Sequence, residues 1–279
     1  MNLRSKYLKA VLGLKIRLYI LEETELMLLI IDIGNSLVKY HFNRQTFFEI
    51  DDLASAISVS LHQYSGSIGI DTFRVFIVST RKSLNATEKD KTKVLLQGLQ
   101  KQYALWFPIE FNEELLEQKK LLKGTYRELG EDRQIKVLGA LKMFENMNIA
   151  LFDFGSATTL TLVNSQYQFK GGLIDLGFLK SFELLGSGMD QLPELTYRRI
   201  DSYYFDTESH TEGNYTHTEL AILNGIYSRV LGTISEWNKY AETLMQEPYT
   251  VACGYGARYF ARHFDSIADD ATLFELAFS

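Results

Sequence analysis

Two short stretches of this chain superpose without a gap: IIDIGNSLVKY at residues 30–40 and LFDFGSATTLT at residues 151–161. A constant offset of 121 sets Asp32 with Asp153, Gly34 with Gly155, Asn35 with Ser156 and Ser36 with Ala157. Each copy is an oily strand that ends on a carboxylate and then turns on small residues. Either one alone would pass for an ordinary hairpin turn. Two at one offset imply a duplicated unit, so the chain is expected to fold as two similar α/β halves.

The flanking pattern agrees. Strands are expected at Leu28–Ile33, Leu37–His41, Thr46–Ile50 and Arg74–Ser79, with helices near Leu53–Tyr64 and over 86–103, a strand at Trp106–Glu110 and a helix over Ile135–Met147. The second half repeats the order: strands Ile149–Phe154, Thr159–Val163 and Tyr167–Leu173, helices near Phe178–Leu185 and Thr218–Met245, a strand Tyr249–Cys253 and a helix after Gly256. The expected division is a first domain over 27–147 and a second over 148–279. Residues 1–26 read as an N-terminal extension, or as a mis-assigned start with Met27 the true first residue. Lys15, Arg17, Glu22, Glu23 and Glu25 interrupt any apolar signal or membrane segment there.

With 279 residues, 46% of them hydrophobic, the chain can bury a large core. A net charge of −6 with acids and bases interspersed offers no basic face, which argues against nucleic acid and anionic membranes as partners. The single cysteine, Cys253, excludes an intrachain disulfide and suits the cytoplasm. It reads as a small core residue. His217 reads as a solvent-facing histidine at a helix cap, and Tyr203-Tyr204 as surface or interface packing.

Glycine lets backbone approach a ligand closely, neighbouring N–H groups can wrap phosphate oxygens, and a strand-end carboxylate can hold a shielding cation. Two such turns across a cleft would clamp a nucleotide. Neither a G-x-x-x-x-G-K-[ST] loop nor a strand-to-helix G-x-G-x-x-G is present.

Four ordered motifs give the resemblance. Asp32-Ile33-Gly34-Asn35-Ser36, Leu129-Gly130-Glu131-Asp132-Arg133, Asp153-Phe154-Gly155-Ser156-Ala157-Thr158-Thr159 and Gly171-Gly172-Leu173-Ile174 resemble, in order, the first phosphate, substrate, second phosphate and Gly-Gly motifs of the type III pantothenate kinases. Thr218-Glu219-Leu220-Ala221-Ile222 resembles a further helix start of that family, and Cys253-Gly254-Tyr255-Gly256-Ala257 its late glycine-rich turn. The family lies in the superfamily of acetate and sugar kinases, Hsp70 and actin. The resemblance implies an α/β fold of two similar actin-like, ribonuclease H-like domains, with mixed sheets flanked by helices and a nucleotide cleft between them.

It also implies the chemistry: transfer of the ATP γ-phosphoryl group to pantothenate, the first step of coenzyme A biosynthesis. By resemblance Asp132 is the general base. ATP is bound by Asp32, Ile33, Gly34, Asn35, Ser36, Leu37, Val38 and Lys39 with Ser156. Pantothenate is bound by Gly130, Glu131, Asp132, Arg133 and Thr218. Asp153 is the ligand of a monovalent cation, K+ or NH4+, and Mg2+ accompanies the nucleotide near Asp32. A homodimer through the long helix is implied as well, for which Ile222, Ile226 and Val230 would form an apolar stripe.

The chain departs from the family pattern where a tyrosine and a proline are expected, at Lys123 and Tyr126, and at Leu176, another expected proline. Two other readings therefore stand beside the kinase: a regulatory protein like the Bvg accessory factors, and a superfamily kinase for another small hydroxyl substrate.

Overall fold

A computed structural model describes residues 27–33, 38–64, 73–79, 86–102, 109–112, 122–125, 129–205 and 215–278. Its first half runs β1 (Met27–Ile33), β2 (Val38–Phe42), β3 (Gln45–Phe47), α1 (Ile50–Tyr64), β4 (Phe73–Ser79), α2 (Ala86–Gln102), β5 (Ile109–Asn112) and α3 (Glu131–Met143). The second runs β6 (Ile149–Phe154), β7 (Ala157–Val163), β8 (Phe169–Leu176), α4 (Phe178–Gly188), α5 (Tyr197–Phe205), α6 (His217–Leu244), β9 (Tyr249–Cys253), β10 (Ser266–Ile267) and α7 (Asp270–Phe278).

The duplication inferred from two turns extends to whole sheets. One sheet is ordered β3-β2-β1-β4-β5 and the other β8-β7-β6-β9-β10. In each, the first three strands pair antiparallel and the last two join in parallel. Two mixed sheets of one topology, flanked by helices, are the actin-like, ribonuclease H-like pair of domains.

The overlay has one fault. Asp32 pairs with Lys39 across β1 and β2, whereas Asp153 pairs with Thr159 across β6 and β7. The connection after β1 is therefore one residue longer, and the constant offset ends at the turn.

β6 is buried along its whole length because helices cover both faces of its sheet. Alternation sends Ala150, Phe152 and Phe154 into one core with α4, α5 and α6, and Ile149 and Leu151 into a second with α3 and α7. Helix α6 opens on Thr216, whose hydroxyl accepts from the Glu219 N–H at 3.2 Å while the Glu219 carboxylate accepts from the Thr216 N–H at 2.8 Å. Its Leu223, Ile226, Val230 and Ile234 fill the first core. The stripe suggested for a dimer is thus spent inside the chain, since Ile226 and Val230 are buried there and Ile222 packs against them. Tyr203 and Tyr204 bond α5 to the same helix, through the Asn224 side chain at 3.0 Å and the Leu223 carbonyl at 2.8 Å. Among the described residues no helix is long and apolar enough to cross a membrane.

Several elements differ from the sequence expectation, which contained neither helix α5 nor strand β10. Helix α3 begins at Glu131, four residues early, because Glu131 and Asp132 suit the positive end of a helix. The helix expected after Gly256 is instead two 3-10 turns, Tyr255–Tyr259 and Ala261–His263, that bury Ala257, Tyr259 and Phe260. Helix α7 was not anticipated: nine residues, mostly apolar all round, show no helical period.

Helices α3 and α7 cross so closely at Gly139 that a Cβ there would collide with the Leu273 backbone carbonyl. A Gly139→Ala substitution should lower stability by about 1–3 kcal/mol by overpacking. Urea unfolding checks this, and an unchanged midpoint would show that the helices can separate at no cost.

Candidate active site

The two strand-end acids lie at the C-terminal ends of β1 and β6, each one residue before the end, and both carboxylates are buried. Direct pairing of Asp32 with Lys39 puts the two side chains on one face, and the ammonium stands 3.6 Å from Asp32 Oδ2. Two residues on, and so on the same face, His41 Nε2 lies 3.9 Å from Asp32, too far for a formed hydrogen bond. The His41 ring is fixed by Thr46 Oγ1, 3.0 Å from Nδ1, and packs on Phe274 at 4.9 Å between centroids.

Helix α3 brings the next groups. Asp132 is in its first turn and Lys136 one turn later on the same face. Lys136 Nζ donates to Asp153 Oδ2 at 2.8 Å and stands 3.2 Å from Asp270 Oδ1. Asp270, at the start of α7, also accepts from Lys39 Nζ at 3.2 Å and from the Gly254 N–H at 3.1 Å. Gly254 has φ +82, and a Cβ there would lie 2.6 Å from Asp153 Oδ1, so both the conformation and the space call for glycine. At Gly130 the backbone is ordinary, but a Cβ would come within 2.7 Å of Asp132 Oδ1, so a larger residue there would shift that carboxylate.

Three carboxylates, Asp32, Asp153 and Asp270, thus meet two ammoniums, Lys39 and Lys136, and a fourth, Asp132, lies near enough to feel the charge of Lys136. Burial pushes Asp32 up, but His41 and the two lysines outweigh it and hold the group below the usual carboxylate range. Burial likewise opposes ionisation of Asp270, and Lys136 and Lys39 again win and hold it well below that range. Asp132 goes the other way: burial, with Asp153 and Asp32 adding to it, raises it against the pull of Lys136. Lys136 is held well above its ordinary value by Asp153 and Asp270 despite complete burial. Burial first, and Asp153 second, push the Cys253 thiol well up, so it stays protonated and belongs to the core as expected.

The other sequence candidates fall in different places. Gly34, Asn35, Ser36 and Leu37 lie outside the described residues. The backbone of Ile33 pairs with Val38 and Ser79, and Val38 is half-buried. Glu131 and Ser156 are exposed. Arg133 is buried and turned into the second sheet, where Nε donates to Thr161 Oγ1 at 3.1 Å and Nη2 to the Leu160 carbonyl at 2.7 Å. Thr218 is exposed in the first turn of α6, and His217 is exposed beside it; no described contact joins the Thr218 side chain to the acid cluster. Lys123 joins its segment to the edge of the second half, its N–H donating to the Tyr167 carbonyl at 2.8 Å. Tyr126 lies outside the described residues. Sequence reasoning missed Lys136, Asp270 and the His41 contact. Helical spacing from Asp132 could have found Lys136; nothing local marks Asp270.

The donor set suits a divalent cation at Asp32. Among the described residues neither Lys39 nor His41 is at hydrogen-bond distance from it, so no described donor takes up its oxygens, and the acids outnumber the ammoniums by two. At Asp153 the case is different, because Lys136 already meets Oδ2.

Because Asp32 and Asp270 are depressed in the folded chain, the stability they confer is complete above about pH 4 and is lost as pH falls toward their folded values. Asp270→Asn leaves Lys39 and Lys136 short of charge and should cost about 3–5 kcal/mol. Its urea midpoint should also fall less steeply than that of wild type on acidification. Parallel pH profiles for the two proteins would contradict the assignment.

Known proteins bear on this site. The type III pantothenate kinase of Gluconobacter oxydans is 28% identical over 157 residues, covering 55% of this chain and 54% of that one. The type III pantothenate kinase of Rhizorhabdus wittichii is 31% identical over 149 residues, 52% of this chain and 54% of that one. The chain spans about half the length of the curated relatives it matches. Among solved structures, a protein described as a conserved Baf-family transcriptional activator from Campylobacter jejuni superposes with a TM-score of 0.49 at 18% identity, over 90% of this chain and 94% of that one. That likeness says nothing of what the chain binds. The family model for type III pantothenate kinases matches residues 28–239, a span that holds both strand-end acids, α3 and most of α6, and the chain belongs to that family.

Proposed function

We propose that the chain transfers the γ-phosphoryl group of ATP to the primary hydroxyl of pantothenate, giving 4′-phosphopantothenate and ADP in the cytoplasm. Beside family membership, one observation carries the reading: a carboxylate, Asp132, half-buried at the head of α3 and raised above the ordinary aspartate range, set among Lys136, Asp153 and Asp32. An ordinary aspartate is a weak base. Burial strengthens this one, so that it can take the hydroxyl proton as the oxygen attacks phosphorus.

Phosphoryl transfer asks mainly for alignment and charge neutralisation. Asp32 would hold Mg2+ with the nucleotide, and the ion when bound neutralises charge on the phosphate oxygens. The backbone and small side chains of Gly34, Asn35 and Ser36, with Ser156 from the second turn, would line the phosphates. Leu37, Val38 and Ile33 would carry that turn, and Lys39 would balance Asp32. Arg133, although Nε and Nη2 are committed to β7, would stand on the pantothenate side in this reading. Gly130, Glu131 and Thr218 complete the pantothenate side in this reading. A homodimer would pair the face of α6 opposite Ile226 and Val230. The two halves, 27–147 and 148–279, are the domains that close over the nucleotide.

ADP release with ATP and millimolar pantothenate tests the reading. Asp132→Asn should lower kcat by about 10²–10⁴-fold. In wild type the acid limb of kcat/KM should lie above the ordinary aspartate range, since the base must be ionised to act, and the limb should vanish in the variant. No pantothenate-dependent turnover would sink the function; full kcat in Asp132→Asn would sink the base.

A further inference from the structure

The carboxylate oxygens of Asp153 and Asp270 and the sulfur of Cys253 lie within 4.8 Å of one another, all three residues buried, the sort of cluster that holds a cation. A cation is already there. Lys136 reaches it from α3, with Nζ 2.8 Å from Asp153 Oδ2 and 3.2 Å from Asp270 Oδ1, and it lies 5.6 Å from the centre of the Phe274 ring.

The place beside Asp153 Oδ2 is filled without any added ion. Lys136 meets both Asp153 and Asp270, and Lys39 stands between Asp270 and Asp32. A cation added at Asp153 itself would stand against the Lys136 ammonium at close range in a buried site, where like charges repel strongly. Cys253 supplies no compensating charge as a thiol. Asp153 Oδ1, which has no hydrogen-bond partner, is the one acceptor of that residue left to an ion. Gly254 closes on it so tightly that a Cβ would stand 2.6 Å away.

We propose that the ε-ammonium of Lys136 is the chain's own monovalent cation: it occupies the place at Asp153 that the family resemblance gives to K+ or NH4+, and the reaction needs no monovalent salt. The part about turnover rests on the kinase reading; the occupancy of the site does not. Lys136 is a positioning residue here. It fixes the Asp153 carboxylate and ties α3, which carries Asp132, to the end of β6 and the start of α7.

Two measurements test this. The first is ADP release in K+, NH4+ or tetramethylammonium chloride at one ionic strength, where wild-type rates should agree within about twofold because screening is the same. Lys136→Ala should lose roughly 10²-fold through misplacement of the groups it holds, and NH4+ should recover much of that where tetramethylammonium does not. The second is thermal melting with no substrate: NH4+ should raise the Lys136→Ala midpoint by about 3 °C or more over tetramethylammonium and leave wild type unmoved. Lys136→Met, which keeps most of the apolar stem and removes only the ammonium end, serves for both measurements if the alanine variant does not fold. A wild type that slows about tenfold or more in tetramethylammonium, or that melts higher in K+, overturns the proposal, because an ion then binds beside Lys136. So does a variant whose melting ignores NH4+. A chain with no pantothenate turnover in any salt overturns the kinase reading alone, and the melting comparison still decides the occupancy.

Discussion

Asp270 holds the site together. Its two oxygens accept from Lys39 on β2, stand within reach of Lys136 on α3 and receive the Gly254 N–H after β9. One carboxylate therefore ties the first sheet to the second and fixes the head of α3 between them. Lys136 passes the tie on to Asp153, and Lys39 passes it to Asp32, so the acids at the ends of β1 and β6 are positioned through a residue in neither strand.

Such a cluster is a poor source of net stability, since the desolvation of buried ions offsets much of their attraction. The stability comes from the apolar layers around it. Ile135, Leu138 and Leu141 of α3 and Leu273, Phe274 and Ala277 of α7 share one core with Ile149, Leu151 and Val251 of the second sheet. Gly139 lets the two helices touch backbone to backbone. What the ion pairs add is geometry: their distances hold only if both helices sit at the right height on the sheet. That coupling makes the charge cluster a reporter of correct packing, and it explains why a helix of nine residues at the end of the chain carries a residue of the site.

The duplicated architecture was legible because it rests on local signals: two oily strands, each with a terminal aspartate and a glycine, and alternation or helical period in the long elements. Boundaries moved by a few residues where caps decide them, as at Glu131. The candidate site was legible only in part. Asp32, Asp132 and Asp153 announce themselves by standing where a buried strand or a helix begins or ends. Asp270 sits in DATLFELAF, whose nearly uniform apolar character hides both the helix and its role, and its partners are 134 and 231 residues away in the chain, at Lys136 and Lys39. Arg133 was read by its planar donor fork as a ligand for substrate. The structure commits two of its nitrogens to β7, a contact set by the docking of α3 on the second sheet and invisible to spacing.

The extra residue after β1 separates the two halves chemically. With connections of equal length, Val38 would stand opposite Asp32 and Lys39 would point to the other face of the sheet. With it, Lys39 faces Asp32, and the first strand-end acid has a counter-charge from its own hairpin. The second half has no such residue: Thr159 stands opposite Asp153, its hydroxyl buried and without a hydrogen-bond partner. Asp153 must then draw its counter-charge from outside its hairpin, and α3 delivers one in Lys136. A duplicated unit has thus become two unlike sites. At one the acid faces an ammonium from its own hairpin without a formed hydrogen bond, and at the other it is bonded to an ammonium that reaches it from the helix bearing Asp132.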